Sequence, residues 1–366
     1  MKIVLDGRIY GTGWTGIGRY TEQIITELQK LDHDNEYIVL LRKDVYQSWQ
    51  PAARNFKKVL ADYKPYGFKE QTLLPLRLYF MRPDLVHFFH FAVPVAYFKK
   101  YVVTIHDLTL VEYKNIRGSG FKKLIYEIKY WLMRWVIGRA AKASRAVITP
   151  TDWVKRQIIE QYHVDEKKVT ATHEAVDPLS AQPASIEALG VKQPFLLYLG
   201  NAYEYKNLPR LIEAFAKLNR LELSLVLAGK KDYFYQKLEE SLSEFNLDNR
   251  LIFTGFVNDG QAMSLYKQAE LFVFPSLAEG FGLPALEAMA QGTPVLSSNA
   301  SCMPEVYGDA AAYFDPLDES DIAKQIENLL DDHQKRAELS KRGLEHVKKF
   351  SWQKTATQTL EVYKKS

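Results

Sequence analysis

The stretch that decides the fold runs from Phe274 to Pro294 and reads F-P-S-L-A-E-G-F-G-L-P-A-L-E-A-M-A-Q-G-T-P. Just ahead of it, the apolar run Leu271 to Phe274 reads as a buried parallel strand that stops at Pro275. A glycine-flexed loop follows, and Pro284 suits the first turn of a short helix that Gly292 closes. Glu279 falls in the loop and Glu287 about one turn inside the helix, so two carboxylates bracket the helix start. Backbone amides around Gly280 to Leu283, with the positive helix end behind them, suit an anion held between the acids. Amides for phosphate and carboxylates for hydroxyls together suit a sugar nucleotide.

Outward from this stretch, strands are expected at Phe195 to Leu199, Leu223 to Ala228 and Leu251 to Thr254, each followed closely by glycine. Lys206 is expected near the carboxyl end of the first of these, where an ammonium can hold a diphosphate, and Asn207 is a candidate cap for the next helix. The Pro-, Ala-, Ser- and Gln-rich residues 179–194 read as a linker. It separates residues 1–178 from a second α/β series at 195–350. Two successive α/β units joined this way predict an α/β fold of two facing Rossmann-like domains with parallel sheets and an interdomain cleft.

In the first half, strands are expected at Lys2 to Asp6, Tyr37 to Leu41, Leu85 to Phe89, Val102 to Ile105 and Arg145 to Thr149. Gly11, Gly13 and Gly16 form a literal G-x-G-x-x-G, the pattern of a dinucleotide site. The late start of the glycines and a helix expected only over Tyr20 to Leu31 favour a loop whose Gly16 to Gly18 backbone approaches a phosphate or sugar, or an unliganded turn. His87, His90 and the His106-Asp107 pair follow strands, where an imidazole can bond a sugar hydroxyl or serve the fold alone. Nothing completes a metal coordination set around these histidines, so no metal is expected. Thr151 or Asp152 is placed to cap the next helix.

Residues 121–145 combine an apolar stripe (Phe121, Leu124, Ile128, Trp131, Trp135) with many lysines and arginines and one acid, Glu127. Two readings fit: a core-packing helix with a solvated basic face, or peripheral contact with an anionic membrane through that face. The second reading predicts that reversing the charge of Lys122, Lys123 and Lys129 weakens binding to anionic liposomes. The whole chain of 366 residues carries a formal charge of +4, too mild to argue for nucleic acid. Cys302 is alone, and the N-terminus runs straight into a strand pattern without a visible signal; both lead to a cytoplasmic expectation.

The sequence resembles the family 4 glycosyltransferases, retaining enzymes of the GT-B fold, over nearly its full length. Matching features are G-I-G-R-Y at 16–20, T-I-H-D-L at 104–108, Y-L-G-N-A-Y-E-Y-K-N-L at 198–208, L-A-G-K at 227–230 and F-T-G-F-V at 253–257. The most specific is E-G-F-G-L-P-A-L-E at 279–287, which resembles the family's pair of glutamates. The resemblance implies that Glu279 contacts the transferred sugar and Glu287 the ribose. It places backbone amides of Phe281, Gly282 and Leu283 on the sugar or diphosphate, Lys206 on the diphosphate, and the Val257 backbone beside the base. Gly16 and Gly18 match the donor-proximal loop and His106 the active-site histidine, with Asp107 beside it. It also implies that the terminal helix, in 351–366, packs back on the N-terminal, acceptor-side domain. One departure is Asn201, where many members carry a second diphosphate-binding arginine; Arg19 is a candidate substitute.

The reaction so implied moves a hexose from a nucleotide diphosphate to a hydroxyl, retaining configuration by same-face attack and using neither metal nor cofactor. Lys206, amides and a helix end would stabilise the leaving diphosphate. The G-I-G-R-Y and T-I-H-D-L combination resembles the mannosyltransferase branch, which favours GDP-mannose over UDP-linked glucose, galactose or N-acetylglucosamine. A glycan or lipid-linked acceptor is expected, with Tyr10, Trp14, Phe89 and Phe91 as candidate aromatic lining. A sugar-nucleotide epimerase, a non-catalytic sugar-nucleotide binder and an NAD enzyme are the competing readings.

Overall fold

The computed structural model describes residues 1–11, 15–114, 121–176, 182–241, 247 and 250–366, without the side chains of residues 15, 121 and 122. Gly13, Trp14, residues 177–181 at the expected linker, and the side chains of Phe121 and Lys122 therefore lie outside the described residues. The chain divides into two compact units, Met1–Glu174 with Ser351–Ser366, and Ala175–Phe350.

The first unit is a seven-stranded parallel sheet. Its strands are β1 (Lys2–Asp6), β2 (Glu36–Leu41), β3 (Phe56–Leu60), β4 (Leu85–Phe88), β5 (Tyr101–Thr104), β6 (Ala146–Thr149) and β7 (Val169–Ala171). The order β3-β2-β1-β4-β5-β6-β7 is doubly wound, with its reversal between β1 and β4. Successive strand residues point to opposite faces. Val4, Val86, Phe88, Val103 and Val147 share one core with helices Phe68–Met81, Phe121–Ala143 and Asp152–Tyr162. On the other face His87 meets the final helix, Trp352–Lys365: its Nδ1 lies 2.6 Å from the Tyr363 hydroxyl and its Nε2 2.9 Å from Thr104 Oγ1. That helix packs on Thr15–Leu31, and the Thr355 hydroxyl donates to the His173 carbonyl at 2.6 Å.

The second unit repeats the plan with β8 (Phe195–Leu199), β9 (Ser224–Ala228), β10 (Leu251–Gly255), β11 (Leu271–Phe274), β12 (Val295–Ser298) and β13 (Ala311–Phe314). The order β10-β9-β8-β11-β12-β13 puts its reversal between β8 and β11, which pair in parallel with Leu271 opposite Leu196. Residues 182–194 belong to this unit, where the Ala184 N–H donates to the Gly260 carbonyl at 3.1 Å.

Several sequence expectations need correction. The first long helix begins at Thr15, not beyond Gly18, so Gly16 and Gly18 sit in its opening turn rather than in a loop. Asn207 does not cap its helix with its side chain. It adopts φ +59 and donates its amide to the Pro275 and Pro316 carbonyls instead. Phe89 and Phe91 are buried, Phe89 with its ring 4.2 Å from His87, so neither lines an acceptor surface. The stripe of Phe121–Ala143 is not core either: Leu124, Ile128, Trp131 and Trp135 are exposed, while Ile137, Ala140 and Ala141 enter the core and Met133 packs against it. Gly138 allows close approach to the next helix, because a Cβ there would lie 2.7 Å from the Tyr162 ring.

Candidate active site

Two loops leave the carboxyl ends of β8 and β11 side by side at the strand-order reversal of the second unit, the usual ligand position in such sheets. They are stitched together. The Leu277 N–H donates to the Tyr205 carbonyl at 2.7 Å, and the Asn207 amide spans to Pro275 at 3.2 Å. The left-handed turn at Asn207 ends a short 3-10 turn, Glu204–Lys206, and holds Lys206 over the loop after β11. Its ammonium lies 2.5 Å from Glu279 Oε1, with both side chains about nine-tenths buried. The same nitrogen is 5.2 Å from the Tyr205 ring centre and 5.6 Å from that of Phe274. The lysine and the acid, assigned to diphosphate and sugar, are thus paired with one another.

A third strand end fixes the acid. After β12 the Ser301 hydroxyl donates to the Glu279 carbonyl at 3.0 Å and accepts from the Glu279 N–H at 3.2 Å. The Cys302 thiol, fully buried, donates to the same carbonyl at 3.3 Å. Burial, with Glu279 nearby, pushes that thiol well above its ordinary value and keeps it an inert donor. Gly282 then takes φ +86 immediately before the helix Leu283–Ala290. A Cβ there would lie 1.9 Å from the Tyr307 hydroxyl, which donates to the Gly282 carbonyl at 2.8 Å. Phe281 is buried, with its ring edge-on to Phe350 at 5.6 Å. Glu287, half-buried on the helix, accepts from the Tyr266 hydroxyl at 3.1 Å.

The floor beside Lys206 is backbone. The Gly200 N–H donates to Ala228 O at 2.9 Å and the Gly229 N–H to Gly255 O at 3.1 Å. A Cβ on Gly229 would lie 1.9 Å from the Gly200 oxygen. Asn201 folds onto its own turn: its carbonyl accepts from the Tyr198 hydroxyl at 2.7 Å and its Oδ1 from the Tyr203 N–H at 3.4 Å. Val257 is half-buried just beyond Gly255.

In the first unit, His106 follows β5 and is buried under the Tyr20 ring, 4.7 Å away. Its Nε2 lies 3.0 Å from the Phe89 carbonyl, an acceptor only, so Nε2 carries a proton. Its Nδ1 lies 2.9 Å from Glu174 Oε1. Glu174 was not anticipated from the sequence, and neither were Ser301, Tyr266 and Tyr307. Asp107 is turned onto its own loop: its carboxylate accepts from the Thr109 N–H at 2.9 Å and hydroxyl at 2.5 Å. Arg19 is half-buried on the first helix, and Tyr10 stands edge-on to Trp49 at 6.5 Å. Among the described residues no group of three or more His, Cys, Asp or Glu side chains is placed to hold a metal.

Two doubly wound units, the second with its polar site at the strand-order reversal, define the GT-B class of fold. Solved structures of that class match the whole chain. Sucrose-phosphate synthase from Thermosynechococcus elongatus has a TM-score of 0.76 at 20% identity, covering 100% of this chain and 98% of that one. HepE from Anabaena, solved with UDP and glucose, has a TM-score of 0.76 at 19% identity, covering 100% and 99%. The family model described as Glycosyltransferase Family 4 matches residues 14–178, and that described as Glycosyl transferases group 1 matches residues 181–346. The O-antigen chain mannosyltransferase B of Escherichia coli is 28% identical over 100% of both chains. The O-antigen chain mannosyltransferase RfbU of Salmonella typhimurium is 23% identical over 87% of this chain and 88% of its own. The chain belongs to the family 4 glycosyltransferases, and it is a glycosyltransferase enzyme.

Proposed function

We propose that the enzyme transfers mannose from GDP-mannose to a hydroxyl of a glycan or lipid-linked acceptor, with retention and without metal. The observation that carries this reading is the Lys206–Glu279 pair at the strand-order reversal, a buried cation already countered by an acid. A nucleotide diphosphate can take over the ammonium, releasing the Glu279 carboxylate to accept from sugar hydroxyls. The helix start at Leu283 and Lys206 then stabilise charge that grows on the leaving diphosphate. Glu287, with Tyr266 behind it, accepts from the ribose. In the first unit His106 donates to the sugar or stabilises its positive charge, with Glu174 holding the ring. Asn201 brings no charge, so within the second unit Lys206 carries the diphosphate. The mannosyl assignment is supported by the names of the two O-antigen relatives. A cytoplasmic place, where such donors are made, goes with it.

UDP-glucose is the second reading, favoured by the UDP and glucose bound in HepE. Thermal unfolding with GDP-, UDP- and ADP-sugars, each with magnesium or with chelator, separates the two. Stabilisation by GDP-mannose alone, equal in both conditions, is the expected result. Stabilisation by UDP-sugars, or only with magnesium, overturns the donor or the metal-free assignment respectively.

A further inference from the structure

The strand-order reversal of the first unit lies between β1 and β4, and the residues beyond those strand ends form a second polar cluster. Asp6 closes β1. Arg8, two residues on, is buried and donates to it twice, Nε to Oδ1 and Nη2 to Oδ2, each at 2.7 Å. Arg8 Nη2 also donates to Glu70 Oε1 at 2.8 Å. The other oxygen of Glu70, a fully buried carboxylate, accepts from the Tyr66 N–H at 2.7 Å. Tyr66 stands at φ +63, a left-handed conformation that a bulky side chain rarely adopts and that costs stability. The fold thus pins an aromatic residue in a strained turn and leaves it 62% exposed. His90, two residues beyond β4, meets its ring edge to face, with centres 5.6 Å apart and planes at 89°. The Tyr66 hydroxyl is 3.2 Å from Nδ1 and 3.1 Å from Nε2, so it sits over the imidazole face, in line with neither nitrogen. Nδ1 accepts from the Ala92 N–H at 3.3 Å, which leaves the proton on Nε2. Burial, with the charges of His106 and Arg8 adding to it, pushes this imidazole down to about 3, so the ring is neutral. Phe91 meets Tyr66 at a tilt from 6.0 Å, so neither neighbour stacks on the tyrosine face.

We propose that Tyr66 is the platform on which the terminal sugar of the acceptor stacks, and that this site selects a neutral pyranose over an acidic one. The inference rests on the transferase reading and adds the acceptor's chemical class to it. A pyranose presents a C–H face that can cover an aromatic ring, while its hydroxyl oxygens accept from the Nε2–H of His90. Charge sets the selection. Arg8 is matched by the two carboxylates of Asp6 and Glu70, His90 is neutral, and Asp107 follows the neighbouring strand β5. A carboxylate or phosphate on the acceptor therefore meets no uncompensated cation among these groups and is repelled by their net negative charge. The strained turn fits the same role, because an exposed aromatic held against its backbone preference brings the fold no burial in return.

Saturation-transfer NMR on the full chain tests this with the methyl glycosides of mannose, glucose and N-acetylglucosamine as neutral probes and methyl glucuronide as the acidic one. At least one neutral probe should bind, and methyl glucuronide should bind at least about fivefold more weakly. Tyr66→Asn should weaken the neutral probe by about tenfold while holding or raising the melting temperature, because asparagine takes the left-handed turn readily. Tyr66→Phe keeps the ring and should bind within about threefold of wild type. None of the probes is a nucleotide, so a failed GDP-mannose assignment, read by thermal unfolding, and a failed acceptor platform show up separately. The proposal is overturned if no neutral glycoside binds, if methyl glucuronide binds as well, or if Tyr66→Asn binds like wild type. It is overturned equally if Tyr66→Phe is as weak as Tyr66→Asn, or if the asparagine variant loses binding only together with a fall in melting temperature.

Discussion

Lys206 and Glu279 were both legible as strand-end groups, but their pairing was not, because the partners are 73 residues apart and no spacing rule connects them. Glu174 is a stronger case: it lies 68 residues from His106 and only the folded sheet brings it to Nδ1. The ion pair makes a stability prediction as well as a catalytic one. Lys206→Met strands a buried carboxylate and should cost on the order of 3 kcal/mol. Glu279→Gln leaves an acceptor for the ammonium and should cost less. Both should reduce transfer by at least about tenfold, since each removes a group the donor needs. Urea unfolding beside initial rates checks this, and equal stability losses would show that the pair carries no such asymmetry. His87 adds a pH prediction. Burial pushes its imidazole down to about 3, with His106 adding to the effect, so the folded ring stays neutral. The unfolded ring protonates near its ordinary value of about 6.5. Stability from this group is therefore complete above that value and lost as pH falls towards the folded value, by up to about 1.4 kcal/mol per pH unit. Melting temperature should fall more steeply below about pH 6.5 for wild type than for His87→Gln. Parallel curves would remove His87 from the acid response.

Strands with strong apolar runs were read from the sequence with ends shifted by a residue or so, the first long helix was begun five residues late, and weak strands were missed. β3, F-K-K-V-L, is an edge strand with lysines in it, and β7 is only V-T-A. β12, V-L-S-S, spends half its length on serines buried at strand positions. None of these has the apolar run of a central parallel strand. The helix after β11 was legible through Pro284, yet the device that sets its start was not: Tyr307 reaches back to Gly282 from the end of the following helix, Met303–Tyr307, with β12 between them in sequence. Gly282→Ala should lose roughly 1–3 kcal/mol from the left-handed conformation alone. The 1.9 Å approach to Tyr307 adds steric strain. Melting temperature and the donor-induced shift should both fall. Gly282→Ala with Tyr307→Phe should recover part of the loss by removing the hydroxyl that the new Cβ meets. A double variant no more stable than the single one would assign the whole cost to the backbone.

At the scale of the molecule, the first unit is built from two separated pieces of chain, Met1–Glu174 and Ser351–Ser366. The second piece completes the side of the sheet that carries His87. Ser351 caps its helix by accepting from the Lys354 N–H at 3.2 Å, and Trp352, Val362 and Tyr363 are buried. Lys100 donates to the Ser366 carbonyl at 3.1 Å beyond the helix end. Removing the segment uncovers the Thr15–Leu31 helix and takes the Tyr363 hydroxyl from His87, leaving a buried imidazole short of a partner. Losing one buried large aromatic costs on the order of 3–5 kcal/mol, and two are lost here. That is comparable to the whole stability of a typical domain, roughly 5–15 kcal/mol. A fragment of residues 1–174 should therefore fail to show a cooperative thermal transition, and a synthetic peptide of residues 351–366 added in trans should restore one. Substituting Tyr363→Ala in that peptide should weaken the rescue more than Lys364→Ala, because Tyr363 is buried and Lys364 exposed. A fragment that melts cooperatively without the peptide would show that the first unit's core stands without its returning helix.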